Sequence, residues 1–143
     1  MILYLDSNPL IYSIAAKARF REPTLRWLGW HAAQPDSTIV TSQLTVLESL
    51  VGILKRNDAV LRTELQRVLE AMMVVDVDAG IAERAAAIRA SSQHRTPDAI
   101  HLATALTCGA DLFLTADRRL KAFRDLRVAD VLRDEPATFF NRT

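Results

Sequence analysis

The chain has 143 residues, half of them hydrophobic, and a formal net charge of +1. This length and composition predict one globular domain over residues 1–143, with a substantial core, and exclude a disordered chain. The single cysteine, Cys108, excludes an intrachain disulfide and a cysteine-based zinc cluster. No apolar run approaches the roughly 18 residues of a membrane helix, and the apolar start at residues 1–5 lacks a basic leader. We therefore expect a soluble, cytoplasmic protein without membrane contact.

Short apolar runs alternate with helical patterns along the chain. In chain order the sequence predicts a strand at 2–5, helices at 10–18 and 23–33, a strand at 37–41, helices at 43–55 and 58–72, a strand at 73–77, helices at 79–90 and 96–108, a strand at 111–115, a short basic helix at 118–123, an edge strand at 128–131 and a tail from about 134. Continuously apolar strands separated by helices are typical of an α/β sandwich around a central, mostly parallel sheet of four to five short strands.

The helix predicted after Ser42 carries apolar residues at 3-4-3 spacing. This spacing places them on one face of a helix, which we expect to lie in the core. The stripe consists of Leu44, Leu47, Val51 and Leu54. Glu48 interrupts the apolar stretch, and its side chain points either to solvent or to the rim of a cleft.

The segment from Thr96 to Leu106 has the signals of a helix start. Thr96 is a candidate N-cap, Pro97 suits the first helical position, and Asp98 enters the first turn, where the helix dipole favours its ionised form. An isolated Asp here is most simply a capping residue. His101 lies one turn further on, and in an apolar stripe it reads as a packed, hydrogen-bonded histidine rather than a catalytic base.

Acidic residues recur at positions that a parallel fold brings to one edge. Asp6 directly follows the first strand, Asp117 follows the fourth, and Asp98 begins a helix, while Glu48 lies in the helix after the second strand. The carboxyl ends of parallel strands and the adjoining helix starts share the edge where ligands bind. Clustered carboxylates repel unless a cation neutralises them, and a donor set of oxygens alone indicates Mg²⁺ or Mn²⁺.

Four segments in this order resemble the successive motifs of PIN-domain ribonucleases and, more narrowly, the VapC toxins of type II toxin–antitoxin systems. They are MILYLDSN at 1–8, Thr41 followed by Glu48, TPDAIHLA at 96–103 and LFLTAD at 112–117. The resemblance covers the chain from its start to about residue 131. The chain departs from the family pattern at Ala116, where many members have Asn, and at Ser7, where Thr is common.

The resemblance implies a PIN-like α/β/α sandwich and a metal-dependent endoribonuclease, in which a Mg²⁺- or Mn²⁺-activated water cleaves RNA and leaves a 5′-phosphate and a 3′-hydroxyl. It makes four carboxylates both catalytic and metal-binding: Asp6, Glu48, Asp98 and Asp117. Asn8 and Thr115 would support them. It also implies a toxin that forms homodimers and is held inactive by a small antitoxin, which inserts a basic or aromatic segment into the acidic cleft.

The sequence allows two interpretations for several other residues. Arg118, Arg119 and Lys121 are candidate contacts for RNA phosphates, or a solvated helix face. Trp27 and Trp30 share a helix face that is either core or a protein interface, and the aromatic pair at 139–140 is expected to dock on the domain.

Two other function classes stay open. One is a catalytically silent PIN-like scaffold that binds RNA or protein. The other is a Mg²⁺-binding, receiver-like phosphotransfer module, but that class needs paired acids after the first strand, where this chain has only Asp6. No glycine-rich phosphate loop indicates a nucleotide-binding enzyme.

Overall fold

Five short strands form one parallel sheet with helices on both faces, in a computed structural model that describes residues 1–141. The elements are β1 (Ile2–Leu5), α1 (Ser7–Ala15), α2 (Ala18–Ala32), β2 (Thr38–Ser42), α3 (Gln43–Arg56), α4 (Ala59–Glu70), β3 (Met73–Val75), α5 (Ala79–Ala90), α6 (Thr96–Thr107), β4 (Leu112–Thr115), a 3-10 helix (Arg118–Ala122), β5 (Val128–Asp130) and α7 (Pro136–Phe139). The strand order is β3-β2-β1-β4-β5. The predicted α/β/α sandwich is confirmed.

The sheet separates two hydrophobic layers because alternate residues of its central strands point to opposite faces. Tyr4 and Phe113 are paired across β1 and β4 and pack against α5 and α6. Leu3, Leu5 and Leu114 face the other layer, formed mainly by α1, α2, α3 and α4. Both faces of β1 and β4 are therefore buried, which explains their uninterrupted apolar sequences.

The first two helices begin earlier than predicted. α1 starts at Ser7, because the Asp6 side chain accepts a hydrogen bond from the Ser7 backbone N–H and caps the helix. α2 starts at Ala18 and contains Pro23 inside it rather than at its beginning. Phe20 lies in the first turn of α2, which the sequence did not predict to be helical. Its ring stacks on Tyr12 of α1 at a centroid distance of 5.0 Å.

The prediction that the leucine stripe of α3 lies in the core is wrong. Leu47, Val51 and Leu54 are 58%, 44% and 55% exposed. The buried face is formed instead by Thr45, Ser49 and Ile53. At 3.6 residues per turn Glu48 lies beside this buried face, so the same rotation that exposes the leucines turns Glu48 towards the sheet edge.

The start of α6 also differs from the prediction in one detail. Thr96 does not cap the helix: Arg95 occupies the cap position, without a side-chain capping bond. The Thr96 hydroxyl instead accepts a hydrogen bond of 2.7 Å from Arg89. Asp98 lies in the first turn as predicted, and Gly109 adopts a positive φ of 67° just beyond the helix.

The end of the described chain packs on α2. Trp27 is buried and its indole N–H donates to the Asp134 carbonyl at 2.9 Å. Phe139 packs edge-on against Trp27, and Phe140 stacks on Trp30 at a centroid distance of 4.7 Å. The predicted docking of the tail is confirmed, and the tryptophan face belongs to the core. None of the helices between residues 1 and 141 has the length and hydropathy needed to cross a bilayer.

Candidate active site

All four predicted carboxylates lie at the carboxyl edge of the sheet. Asp6 ends β1, Asp117 follows β4 by two residues, Glu48 is in the second turn of α3, and Asp98 is in the first turn of α6. Their charges act on one another, since Asp6 and Asp117 both raise the pKa of Asp98. The structure therefore places the four acids at one edge of the sheet, with Asp6, Asp98 and Asp117 close enough for their charges to interact.

Asp6 is the most buried of the four and is held from both sides. Its Oδ1 accepts the Ser7 N–H at 2.8 Å, and its Oδ2 accepts the Thr115 hydroxyl at 2.7 Å. The same Thr115 oxygen accepts the Asp117 backbone N–H at 3.0 Å. Thr115 thus links the ends of β1 and β4, and its supporting role in catalysis stays a prediction. Thr41 adds a hydrogen bond of 2.7 Å from its hydroxyl to the Leu5 carbonyl.

Glu48 reaches the cluster from α3 through two hydrogen bonds to one oxygen. Its Oε1 accepts from Nε2 of His101 at 2.6 Å and from the Ser7 hydroxyl at 2.8 Å. The hydrogen bond from His101 is the main reason that the pKa of Glu48 is lowered, and burial opposes it. Glu48 is consequently ionised and oriented inward, although its side chain is 35% exposed.

Asp98 is the carboxylate with the least compensation. Asp98 pairs with Arg95, whose Nε lies 3.7 Å from the Asp98 Oδ2 atom. The Arg95 side chain is mostly exposed. Burial raises the pKa of Asp98, and the negative charge of Asp6 raises it further. Arg95 and His101 offset this effect only in part, so the pKa of Asp98 stays above its usual value.

Asp117 is turned towards a basic side chain of the following 3-10 helix. Arg119 binds its carboxylate through Nε at 3.0 Å and Nη2 at 2.6 Å, and its backbone N–H also donates to Oδ1. The hydrogen bond from Arg119 lowers the pKa of Asp117. A guanidinium therefore stands beside Asp117 in the position of a counter-ion.

One buried residue that sequence reasoning did not assign to the site, His101, contacts two of its carboxylates, and Tyr4 contacts His101 in turn. His101 is 2% exposed, and its Nε2 lies 2.6 Å from Glu48 and 3.5 Å from Asp6. Its Nδ1 lies 2.7 Å from the Tyr4 hydroxyl. Burial lowers the pKa of His101, but the hydrogen bond to Glu48 and the charge of Asp6 outweigh burial, so the pKa is raised. The prediction of a packed, hydrogen-bonded histidine is correct, but it missed that the partner is a site carboxylate.

The remaining predicted residues lie at the rim. Asn8 is exposed, and no hydrogen bond to its side chain occurs among residues 1–141; Ser7 makes the contact to Glu48 instead. Arg118 is exposed beside Asp117. Lys121 pairs with Asp134 at 2.5 Å and lies 5.9 Å from the centre of the Phe139 ring. The supporting and RNA-binding roles of these residues stay predictions.

The donor chemistry of the cluster suits a hard divalent cation. It offers carboxylate oxygens, which Mg²⁺ and Mn²⁺ prefer, and the negative charge of Asp98 is only partly offset. Within residues 1–141 no three acidic, histidine or cysteine side chains are already gathered as metal ligands. Asp117 is bound to Arg119, and Glu48 to His101. An ion held by all four acids would compete with Arg119 for Asp117.

A family model for the PIN domain matches residues 3–126. The chain belongs to the PIN domain family. The matched span of this PIN domain contains all four carboxylates and His101. A comparison with curated proteins finds no match.

Solved structures share the fold of the PIN domain at low sequence identity. The VapBC2 complex from Rickettsia felis, bound to a promoter DNA fragment, matches with a TM-score of 0.75 and 18% identity over 90% of this chain and 98% of that one. FitAcB from Neisseria gonorrhoeae matches with a TM-score of 0.70 and 20% identity, over 94% of this chain and 100% of that one. VapC20 from Mycobacterium tuberculosis, described as a sarcin-ricin loop cleaving toxin, matches with a TM-score of 0.63 and 16% identity, over 87% of this chain and 98% of that one.

Proposed function

We propose that this PIN domain is a Mg²⁺- or Mn²⁺-dependent endoribonuclease and the toxin of a toxin–antitoxin pair. The observation that carries the proposal is the acidic cluster at the carboxyl edge of the sheet, in which burial and the charge of Asp6 raise the pKa of Asp98 at a helix start. A cluster of this kind is costly to the fold, and cation binding gives a reason for it. VapC20, which has the same fold, is described as cleaving RNA of the sarcin-ricin loop.

A bound divalent ion would lower the pKa of a water molecule and stabilise the charge that develops on the phosphate. Asp6, Asp98 and Glu48 would hold this ion and the water. Asp6 is fixed by Ser7 and Thr115, and Glu48 by His101, so two of the three ligands are already oriented. Asp117 would serve a second or weaker ion position.

Basic side chains at the rim would offset the repulsion between the acidic site and RNA. Arg95, Arg118 and Arg119 are exposed and follow or flank the acids. Arginine binds phosphate through a planar pair of N–H donors, so these three are the proposed phosphate contacts. Lys121 is engaged with Asp134 and would contribute through its positive charge.

The proposed regulator is a small antitoxin protein that places a basic side chain against the acidic cluster. The bidentate pairing of Arg119 with Asp117 supports this, because it indicates that a guanidinium fits this edge. A structure from Klebsiella pneumoniae that shares the fold is described as a toxin–antitoxin complex. Affinity purification of the tagged protein from its host, followed by light scattering, would test both the antitoxin and the proposed homodimer.

The decisive test is cleavage of total cellular RNA by purified protein with Mg²⁺, Mn²⁺ or excess EDTA. Wild type, Asp6→Asn and Asp98→Asn are compared with Asp78→Asn, a matched control in which the exchanged aspartate caps α5 by accepting the Ile81 N–H. We expect discrete fragments from wild type and the control in the presence of metal, and none from the two site variants. Equal cleavage by all four proteins would place the activity elsewhere, and no cleavage by any would favour the silent scaffold.

A further inference from the structure

A hydrogen-bonded pair of buried residues lies directly beneath the carboxylates. Tyr4 precedes Asp6 by two residues on β1, and His101 follows Asp98 by one helical turn on α6, so the elements that present the acids also present this pair. Tyr4 is fully buried and stacks on Phe113 at a centroid distance of 5.0 Å. The imidazole therefore rests on a rigid part of the core.

The partners of the imidazole determine where its proton lies. An ionised carboxylate only accepts hydrogen bonds, and Glu48 Oε1 already accepts one from Ser7. At 2.6 Å from this oxygen, Nε2 of His101 has to carry a hydrogen. The Tyr4 hydroxyl lies against Nδ1 and satisfies the other ring nitrogen. Both nitrogens are thus engaged, and the ring orientation is fixed.

The hydrogen bond from Nε2 acts on the most exposed of the four carboxylates. Glu48 has three rotatable side-chain bonds and is 35% exposed, whereas Asp6 is nearly buried and doubly hydrogen-bonded. Without a donor at this position, solvent would compete for the Glu48 carboxylate and draw it away from Asp6. Because the donor comes from α6 and the acceptor from α3, it also joins the two helices that flank the site.

We propose that His101, held in place by Tyr4, is a positioning residue that keeps Glu48 in the ligand geometry of the acidic site. With 2% of its surface exposed, His101 reaches neither solvent nor RNA. This role rests on the proposed function in one respect, which is that Glu48 and its neighbours bind a divalent ion. Partners of this kind typically change metal affinity or activity by about 10- to 100-fold.

Two amide substitutions separate the positioning role from general packing. In His101→Gln the side-chain amide nitrogen reaches the position of Nε2 and can donate to Glu48. In His101→Asn the amide reaches only the position of Nδ1, near Tyr4, and leaves Glu48 without this donor. Both variants are polar and neutral, and circular dichroism shows whether each is folded.

The first readout is Mn²⁺ affinity, measured by electron paramagnetic resonance without RNA. We expect His101→Gln to bind within about threefold of wild type and His101→Asn about 10- to 100-fold more weakly. In RNA cleavage, His101→Asn should lower kcat at unchanged KM, since the residue does not touch RNA. If the two variants bind Mn²⁺ equally, or if His101→Asn binds as tightly as wild type, the proposal is wrong.

The second readout needs neither metal nor activity and uses the wild-type protein. In ¹³C,¹⁵N-labelled wild-type protein, the His101 side chain, distinguished from the other two histidines by sequential assignment along α6, should show a hydrogen on Nε2. A neutral ring protonated only at Nδ1 would overturn the proposal even if both variants fail to fold. If the Mn²⁺ ranking holds but no RNA is cut, the nuclease function fails and the positioning role stands. If RNA is cut and the variants are indistinguishable, the positioning role alone fails.

Discussion

Replacing Tyr4 with Phe removes one hydroxyl from beneath the acidic site and leaves the packing intact. The Tyr4 ring is fully buried and stacks on Phe113 with an interplanar angle of 15°, which a Phe ring reproduces. What is lost is the hydrogen bond of 2.7 Å to Nδ1 of His101. The imidazole is 2% exposed, so no water replaces the missing partner.

The expected cost follows from leaving that nitrogen without a partner. Removing one partner of a buried hydrogen bond costs about 1 to 3 kcal/mol. For a domain of this size each kcal/mol lowers the melting temperature by roughly 3 °C, so Tyr4→Phe should melt about 3 to 9 °C below wild type.

Thermal unfolding in excess EDTA measures the effect without interference from bound metal. Tyr12→Phe is the matched control: Tyr12 stacks on Phe20 at 5.0 Å, and its hydroxyl has no hydrogen bond among residues 1–141. The control should melt within about 1.5 °C of wild type, since a change that removes no hydrogen bond and keeps the packing stays within about 0.5 kcal/mol. In the His101→Gln background Tyr4→Phe should cost about 1 kcal/mol less, because the partner is already gone. Equal melting of wild type and Tyr4→Phe would refute the reasoning.

Three further predictions concern the charges of the site. Mn²⁺ at about 100 times its Kd should stabilise the wild type by about 2.7 kcal/mol in a thermal-shift assay, and Asp98→Asn should lose this shift. In EDTA, Asp98→Asn should melt at a higher temperature than wild type, because burial and the charge of Asp6 disfavour the ionised Asp98 side chain. In the metal-free protein, His101 should contribute its full stabilisation below pH 6.5, and this contribution should be lost as pH rises through the raised pKa of His101. Equilibrium denaturation at several pH values measures how the free energy of unfolding depends on pH. His101→Gln should lack this part of the dependence, and an unchanged dependence would contradict the role given to His101. Arg119→Gln releases Asp117 from its counter-ion, so calorimetry should show that Mn²⁺ binds several-fold more tightly to the variant than to the wild type. RNA should bind the variant more weakly, and its affinity should depend less on salt concentration.

The sheet and its acidic edge could be predicted because their signals are local. β1 and β4 are buried on both faces, so each appears in the sequence as a continuous apolar run that ends near an acid. Once the strands are parallel, chain connectivity alone places Asp6 and Asp117 at the same edge. Neither inference requires knowledge of how individual side chains pack.

The errors concern contacts between distant segments. The α3 stripe was assigned to the core because spacing gives the faces of a helix but not which face turns inward. Thr45 and Ser49 occupy the buried face, where small side chains allow close packing, and the leucines are left outside. The pairing of His101 with Glu48 joins residues 53 apart, and the only sequence signal for it was the one-turn spacing between His101 and Asp98.

The central position of the first strand has a consequence for how the protein is made. β1 lies between β2 and β4, and the hydroxyl that fixes Asp6 belongs to Thr115, 109 residues later. During synthesis Asp6 therefore emerges long before β4, whose Thr115 orients it. Glu48 likewise emerges before His101. Such long-range pairing forms late in folding. A chain still attached to the ribosome thus has no assembled acidic cluster until β4 has emerged.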